Sequence, residues 1–169
     1  MTETVLSVKN LTTHFFTRSG VVKAVDNVSF DLAKGEIMGL VGESGSGKTV
    51  TGFSLLGLVD EPGRIVSGSI TLKDKALTSL SNAELRRWRG REISMIFQDP
   101  IATLNPVLTI GRQMRLAIAA HERISARAAE DRATDLLSKV GIPSARARLD
   151  AYPHEFSGVM RQRAAIAIA

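Results

Sequence analysis

The stretch Gly42-Glu43-Ser44-Gly45-Ser46-Gly47-Lys48-Thr49 fits the phosphate-binding pattern G-x-x-x-x-G-K-[ST] at every fixed position. Glycines at 42, 45 and 47 let the backbone curl, so that successive N–H groups point inward at a phosphate chain. A helix starting where the loop ends adds the positive end of its dipole. Lys48 can reach the outer phosphates, and the Thr49 hydroxyl is a candidate Mg²⁺ ligand. Val50 closes the candidate binding segment. The flanks suit the motif as well. Glu36-Ile-Met-Gly-Leu-Val41 reads as a short buried strand, and Val50 to Val59 is apolar enough to open a buried helix. A flexible Gly/Ser loop is the plain alternative, and these flanks count against it. The loop predicts binding of a nucleoside triphosphate.

Composition bounds the rest. The chain has 169 residues, 44% hydrophobic and 23% charged, which is ordinary for a globular domain with a real core. No run of 18 apolar residues suggests a membrane span. The first residues, Met1-Thr-Glu-Thr-Val5, lack the basic and apolar regions of a signal peptide. The absence of cysteine excludes disulfides, thiolate metal sites and iron–sulfur ligation, and a cytoplasmic setting is the plain inference. Net charge is +5 and the pI about 10.0, which would suit nucleic acid or an anionic membrane surface. The arginines are spread along the chain, however, as in Arg86-Arg-Trp-Arg89 and Arg123, Arg127 and Arg132. Solvated helix faces account for them, so no nucleic-acid partner is expected. His14, His121 and His154 are isolated, show no metal-ligand spacing, and read as structural or surface residues.

Along the chain, Val5 to Leu11 and Val21 to Leu32 carry β-branched residues and partial alternation, with a turn at Arg18-Ser-Gly20 between them. A second turn, Ala33-Lys-Gly35, leads into the strand before the loop. Asp60-Glu-Pro-Gly63 punctuates the chain after the first helix, and Ser67-Gly-Ser-Ile-Thr-Leu72 reads as a further strand. Ser81 with Glu84 forms a capping-box pattern, predicting a short helix to about Gly90. Ile93-Ser-Met-Ile-Phe97 reads as a buried strand. Beyond Pro106 the pattern turns helical. Ile110, Met114, Ala117 and Ile118 share one face; Ala129, Ala133, Leu136, Leu137 and Val140 share another, with Gly141 placed as a C-cap.

Two further motifs join the phosphate loop. Phe97-Gln-Asp-Pro100 ends the Ile93–Phe97 segment, and Phe156-Ser-Gly-Val-Met-Arg-Gln-Arg163 opens a helix. This trio, in this order, resembles the ATP-binding subunits of ABC transporters. The stretches Gln98-Asp-Pro-Ile-Ala-Thr-Leu-Asn-Pro106 and Tyr152-Pro-His-Glu-Phe-Ser157 look like the dipeptide/oligopeptide importer branch, which also holds nickel and glutathione importers. The resemblance covers essentially the whole chain. It implies an α/β P-loop NTPase fold: an ABC-type nucleotide-binding domain with an antiparallel β front subdomain and a helical insert. Residues 1–105 and 156–169 would form the RecA-like core with the β-subdomain, and residues 106–155 the helical subdomain.

The resemblance also implies roles. Gly42, Ser44, Gly45, Gly47, Lys48 and Thr49 match the phosphate loop. Gln98 matches the glutamine that positions Mg²⁺ or the attacking water. Phe15 matches the aromatic residue that stacks on adenine, with Phe16 a competitor for that role. Ser157 and Gly158 match the signature motif, which faces the γ-phosphate bound by a partner subunit. The implied cofactors are ATP and Mg²⁺. The implied partners are a second ATP-binding subunit, two transmembrane permeases and a periplasmic substrate-binding protein, with this chain peripheral on the cytoplasmic face of the inner membrane. The implied function is coupling ATP binding and hydrolysis to peptide import.

Two departures stand out. Val159 replaces the second glycine of the signature, where a β-branched side chain crowds a phosphate's approach. The sequence also ends inside the signature helix, before the family's strand-ending Asp, catalytic Glu and switch His, and before a central strand of its sheet. A truncated, inactive remnant is therefore the alternative expectation. A soluble ABC ATPase acting on nucleic acid and a small P-loop kinase are further rivals; residues 98–106 count against the first, and the signature motif and front strands against the second.

Overall fold

The computed structural model describes residues 3–99 and 103–169, and two compact units emerge, Met1–Arg89 and Gly90–Ala169. In the first, β1 (Thr4–Thr17) and β2 (Gly20–Ala33) form a long hairpin. The helix α1 (Lys48–Leu56) follows, then β3 (Gly63–Leu72) and the two-residue β4 (Lys75–Ala76). The sheet is antiparallel in the order β2-β1-β3-β4. Leu6, Val8, Leu11, Val25, Ile70 and Leu72 form its buried side, joined by Leu56 of α1 and by Leu77 from a single 3₁₀ turn. The strands are longer than their apolar patterns suggested. β1 runs on through Phe15 and Phe16 to the turn at Arg18-Ser19, because backbone pairing on both sides carries a strand past the point where its side chains stop alternating.

The helix α1 begins at Lys48 and ends at Leu56, short of the expected Val59. Gly57 stops it by adopting the left-handed conformation, φ 61°. The next helix, α2 (Asn82–Trp88), carries the expected capping box. The Glu84 N–H donates to Ser81 Oγ at 3.4 Å, and the Ser81 N–H donates back to the Glu84 carboxylate at 2.9 Å. The Ser81 hydroxyl, then its N–H, holds the Glu84 carboxyl below its ordinary value of 4.5. A depressed carboxyl contributes stability that is present above its unfolded pKa and fades as pH falls through the folded one. Ser81→Ala should destabilise the first unit by about 1 kcal/mol. Urea titrations at pH 7 and in mild acid should show the difference from wild type shrinking as Glu84 protonates.

Two sequence expectations are corrected. Glu36 to Val41 is neither a strand nor buried: Ile37 is 98% and Val41 90% exposed. Ser94 to Phe97 lies outside any strand, with a single bridge at Ile93, and Ile96 is exposed. Each has the apolar run of a central strand. A strand exists only as part of a ladder, and among the described residues no neighbouring strand runs alongside either segment.

The second unit is helical: α3 (Ile110–His121), α4 (Ala126–Lys139), the short α5 (Ala145–Arg148) and α6 (Gly158–Ile168). Thr109, Ser125 and Ser157 cap α3, α4 and α6 through their hydroxyls. Ile110, Met114 and Ile118 face Ala129, Ala133 and Leu137, with Leu104, Ile142, Leu149, Phe156 and Ala164 in the same core. Those faces are the ones the 3.6-residue spacing marked, with Ala117, Leu136 and Val140 half-buried at the margin. Gly141 ends α4 at φ 76°. Among the described residues no helix is long and apolar enough to cross a membrane.

Candidate nucleotide-binding site

The phosphate loop is fixed from below. A Cβ built on Gly47 would lie 2.0 Å from the Ala24 carbonyl oxygen of β2, and Gly47 itself sits at φ 88°. Only glycine permits both that contact and that conformation. Gly47 is the N-cap of α1, and its carbonyl accepts from the Thr51 N–H at 2.8 Å and from the Thr51 hydroxyl at 3.0 Å. No side chain caps the helix and no acidic residue occupies its first turn. Its first N–H groups and the positive end of its dipole therefore remain available to an anion.

Lys48 curls back over the loop. Its ammonium donates to the carbonyls of Gly42 at 2.7 Å and Glu43 at 2.6 Å and to Ser46 Oγ at 3.3 Å. The Ser46 N–H donates to the Glu43 carbonyl, closing the turn at 3.2 Å. Glu43, Ser44 and Gly45 lie exposed along the loop, and Thr49 is exposed in the first turn of the helix. Val50 is half-buried, and its carbonyl accepts from the Ser54 hydroxyl at 2.7 Å. Ser54 also meets Thr13 Oγ1 at 2.9 Å, a buried pair that ties α1 to β1.

That pair orients the two phenylalanines. Thr13, His14 and Phe15 stand in unbroken register opposite Ile65, Arg64 and Gly63 of β3. Phe15 therefore shares the face of Thr13, toward α1, where its ring covers Gly63 beside Val59. Phe16 lies on the other face with His14, whose ring centroid is 6.3 Å away, and the Arg64 guanidinium sits 4.2 Å over the Phe16 ring. The two candidates thus lie on opposite sides of the sheet, a distinction adjacent positions in the sequence did not reveal.

The remaining candidates belong to the second unit. Gln98 is exposed in a bend after the Ile93–Phe97 segment; Pro100 of its motif lies outside the described residues. Ser157 accepts from the Met160 N–H at 3.3 Å as the N-cap of α6. A Cβ added to Gly158 would meet nothing within 4 Å, and Val159 is 62% exposed. Ser157 to Val159 therefore form an open helix N-terminus. Behind it, Arg161 Nε donates to the Pro153 carbonyl at 2.8 Å and Arg163 Nη1 to the Gly141 carbonyl at 2.8 Å. These two arginines hold α6 in place, a role the motif alone did not disclose. Of the histidines, His154 stacks on Tyr152 at 5.6 Å, and His121 Nε2 lies against Gly90.

The residues present fit a magnesium–triphosphate: a glycine cradle, a charged lysine on the loop and a hydroxyl in the first turn of an uncapped helix.

Comparison with known proteins bears on the family. The family model described as "ABC transporter" matches residues 25–169. The chain is 51% identical over 168 residues to the dipeptide transport ATP-binding protein DppD of Bacillus subtilis, covering 99% of this chain and 50% of that protein. It is 48% identical over 167 residues to the oligopeptide transport ATP-binding protein AppD of the same organism, covering 98% and 51%. The chain thus spans about half the length of the curated relatives it matches. Among solved structures it is similar to the dimeric bacterial ABC transporter cassette MJ0796, with a TM-score of 0.82 at 25% identity over 96% of this chain and 68% of that one. By loop, fold and sequence alike, the chain belongs to the ABC transporter family.

Proposed function

We propose that this chain is the nucleotide-binding part of an ATP-binding subunit for peptide import. The observation that carries the reading is the glycine cradle under an uncapped helix, with Lys48 folded across it. Lys48 would exchange its loop carbonyls for the outer phosphate oxygens, while the first N–H groups of α1 hold the inner ones. Thr49 would be a ligand to Mg²⁺, which neutralises phosphate charge as it develops, and Gln98 is the second unit's candidate for positioning metal or water. Phe15, on the α1 side of the sheet, would stack on adenine. Ser157 and Gly158 would meet the γ-phosphate held by a second ATP-binding subunit, with Val159 crowding that approach. The names of the relatives support dipeptide or oligopeptide as the cargo. In that setting residues 106–155 form the helical subdomain of a cassette. Its partners would be two permeases and a periplasmic binding protein, at the cytoplasmic face of the inner membrane.

Titration with a fluorescent ATP analogue and Mg²⁺ tests the reading. Lys48→Ala removes a charged donor and should weaken binding about 10- to 100-fold. Unchanged affinity would sink the phosphate-loop assignment.

A further inference from the structure

One side chain grips the far end of α1. Arg89 Nε donates to the Leu56 carbonyl and Arg89 Nη2 to the Gly57 carbonyl, each at 2.7 Å. Leu56 is the last residue of α1 and Gly57 its left-handed cap. Carbonyls at a helix end have no intrahelical donor, and a guanidinium offers two donors in one rigid fork. Its charge also complements the negative end of the helix dipole. The fit is close: a Cβ on Gly57 would lie 2.8 Å from Leu85 Cδ1 and 3.2 Å from Arg89 Nη2. Leu85 belongs to α2 and Arg89 is its C-cap, with the Arg89 N–H donating to the Leu85 carbonyl at 3.0 Å. The capping box secures the other end of α2.

The helix α1 has nine residues and carries Lys48 and Thr49 in its first turn. So short a helix moves as a rod, about 13 Å long. Whatever fixes its tail fixes the tilt of its head. We propose that Arg89 is a positioning residue for the phosphate loop, setting the tilt of α1 through the two carbonyls at its end. The proposal rests on the nucleotide-binding reading of that loop.

The test compares Arg89→Lys, Arg89→Ala and Lys48→Ala in the whole chain. The readouts are MgATP-analogue affinity and amide hydrogen exchange. Arg89→Lys keeps the charge and loses the fork. It should weaken binding about fivefold and speed exchange across residues 48–57, while residues 126–139 exchange as in wild type; Arg89→Ala should do both more strongly. Wild-type affinity in Arg89→Lys, with Lys48→Ala defective, would overturn the proposal alone. So would faster exchange spread equally over residues 126–139, which marks a merely structural loss. Equal affinity of wild type and Lys48→Ala would overturn the nucleotide reading, and the proposal with it.

Discussion

A Gly47→Ala chain should bind MgATP far more weakly than wild type and unfold at markedly lower urea. The added methyl would sit 2.0 Å from the Ala24 oxygen and 3.2 Å from its carbonyl carbon, with Val25 Cγ2 behind at 3.7 Å. Ala24 is backbone inside β2, held between the paired residues Lys23 and Val25, so it cannot yield as a side-chain tip would. Left-handed backbone adds about 1–2 kcal/mol for an L-residue, and overpacking typically adds about 1–3 kcal/mol. The cheapest relief lifts the loop off the sheet and carries the Lys48 ammonium with it. Gly45→Ala is the control. Gly45 has φ 81° but nothing within 4 Å of an added Cβ, so it should suffer the conformational cost alone. Equal losses at positions 45 and 47 in urea titration and analogue binding would refute the steric argument.

Phe156→Ala should cost the helical unit about 3–5 kcal/mol. The ring is 2% exposed, the largest fully buried side chain of the chain's described residues, and it packs among Leu137, Leu149 and Ala164. It also immediately precedes Ser157, so the cavity would loosen the N-terminus of α6. Phe156→Leu keeps most of the apolar volume and should cost clearly less. Chemical denaturation followed by far-ultraviolet circular dichroism reads both. A cost below about 1 kcal/mol for the alanine variant would mean the core does not close around this ring.

What the sequence disclosed and what it withheld divide along physical lines. Local rules were legible. The glycine–lysine loop, the Ser81–Glu84 box, the helix opening at Ser157, the stop at Gly141, and the apolar faces of α3 and α4 depend on neighbours within one turn, and each lies where the spacing placed it. Long-range pairing was not legible. Glu36–Val41 and Ile93–Phe97 have the composition of central strands, but composition does not supply a ladder. Contacts made by unremarkable residues were equally silent. Nothing in the run Arg86-Arg-Trp-Arg89 marks the last arginine as the fork on α1, and nothing in Ala24 announces a carbonyl against Gly47. Phe15 and Phe16 were distinguishable only once strand register assigned them to opposite faces.

The exposed run from Ile37 to Val41 bears on how the chain behaves in a crowded solution. β2 is a long edge of the sheet, but its Lys23, Asp26 and Asp31 and its irregular register make it a poor template for a passing strand. Residues 37–41 carry no charge and no proline, and their side chains point bare apolar surface at the solvent. Short segments of that composition nucleate cross-chain sheets. Colloidal stability is therefore distributed unevenly over these 169 residues. It is guarded along one margin of the sheet and exposed just ahead of the phosphate loop, where two molecules that stick would do so at the expense of the site itself.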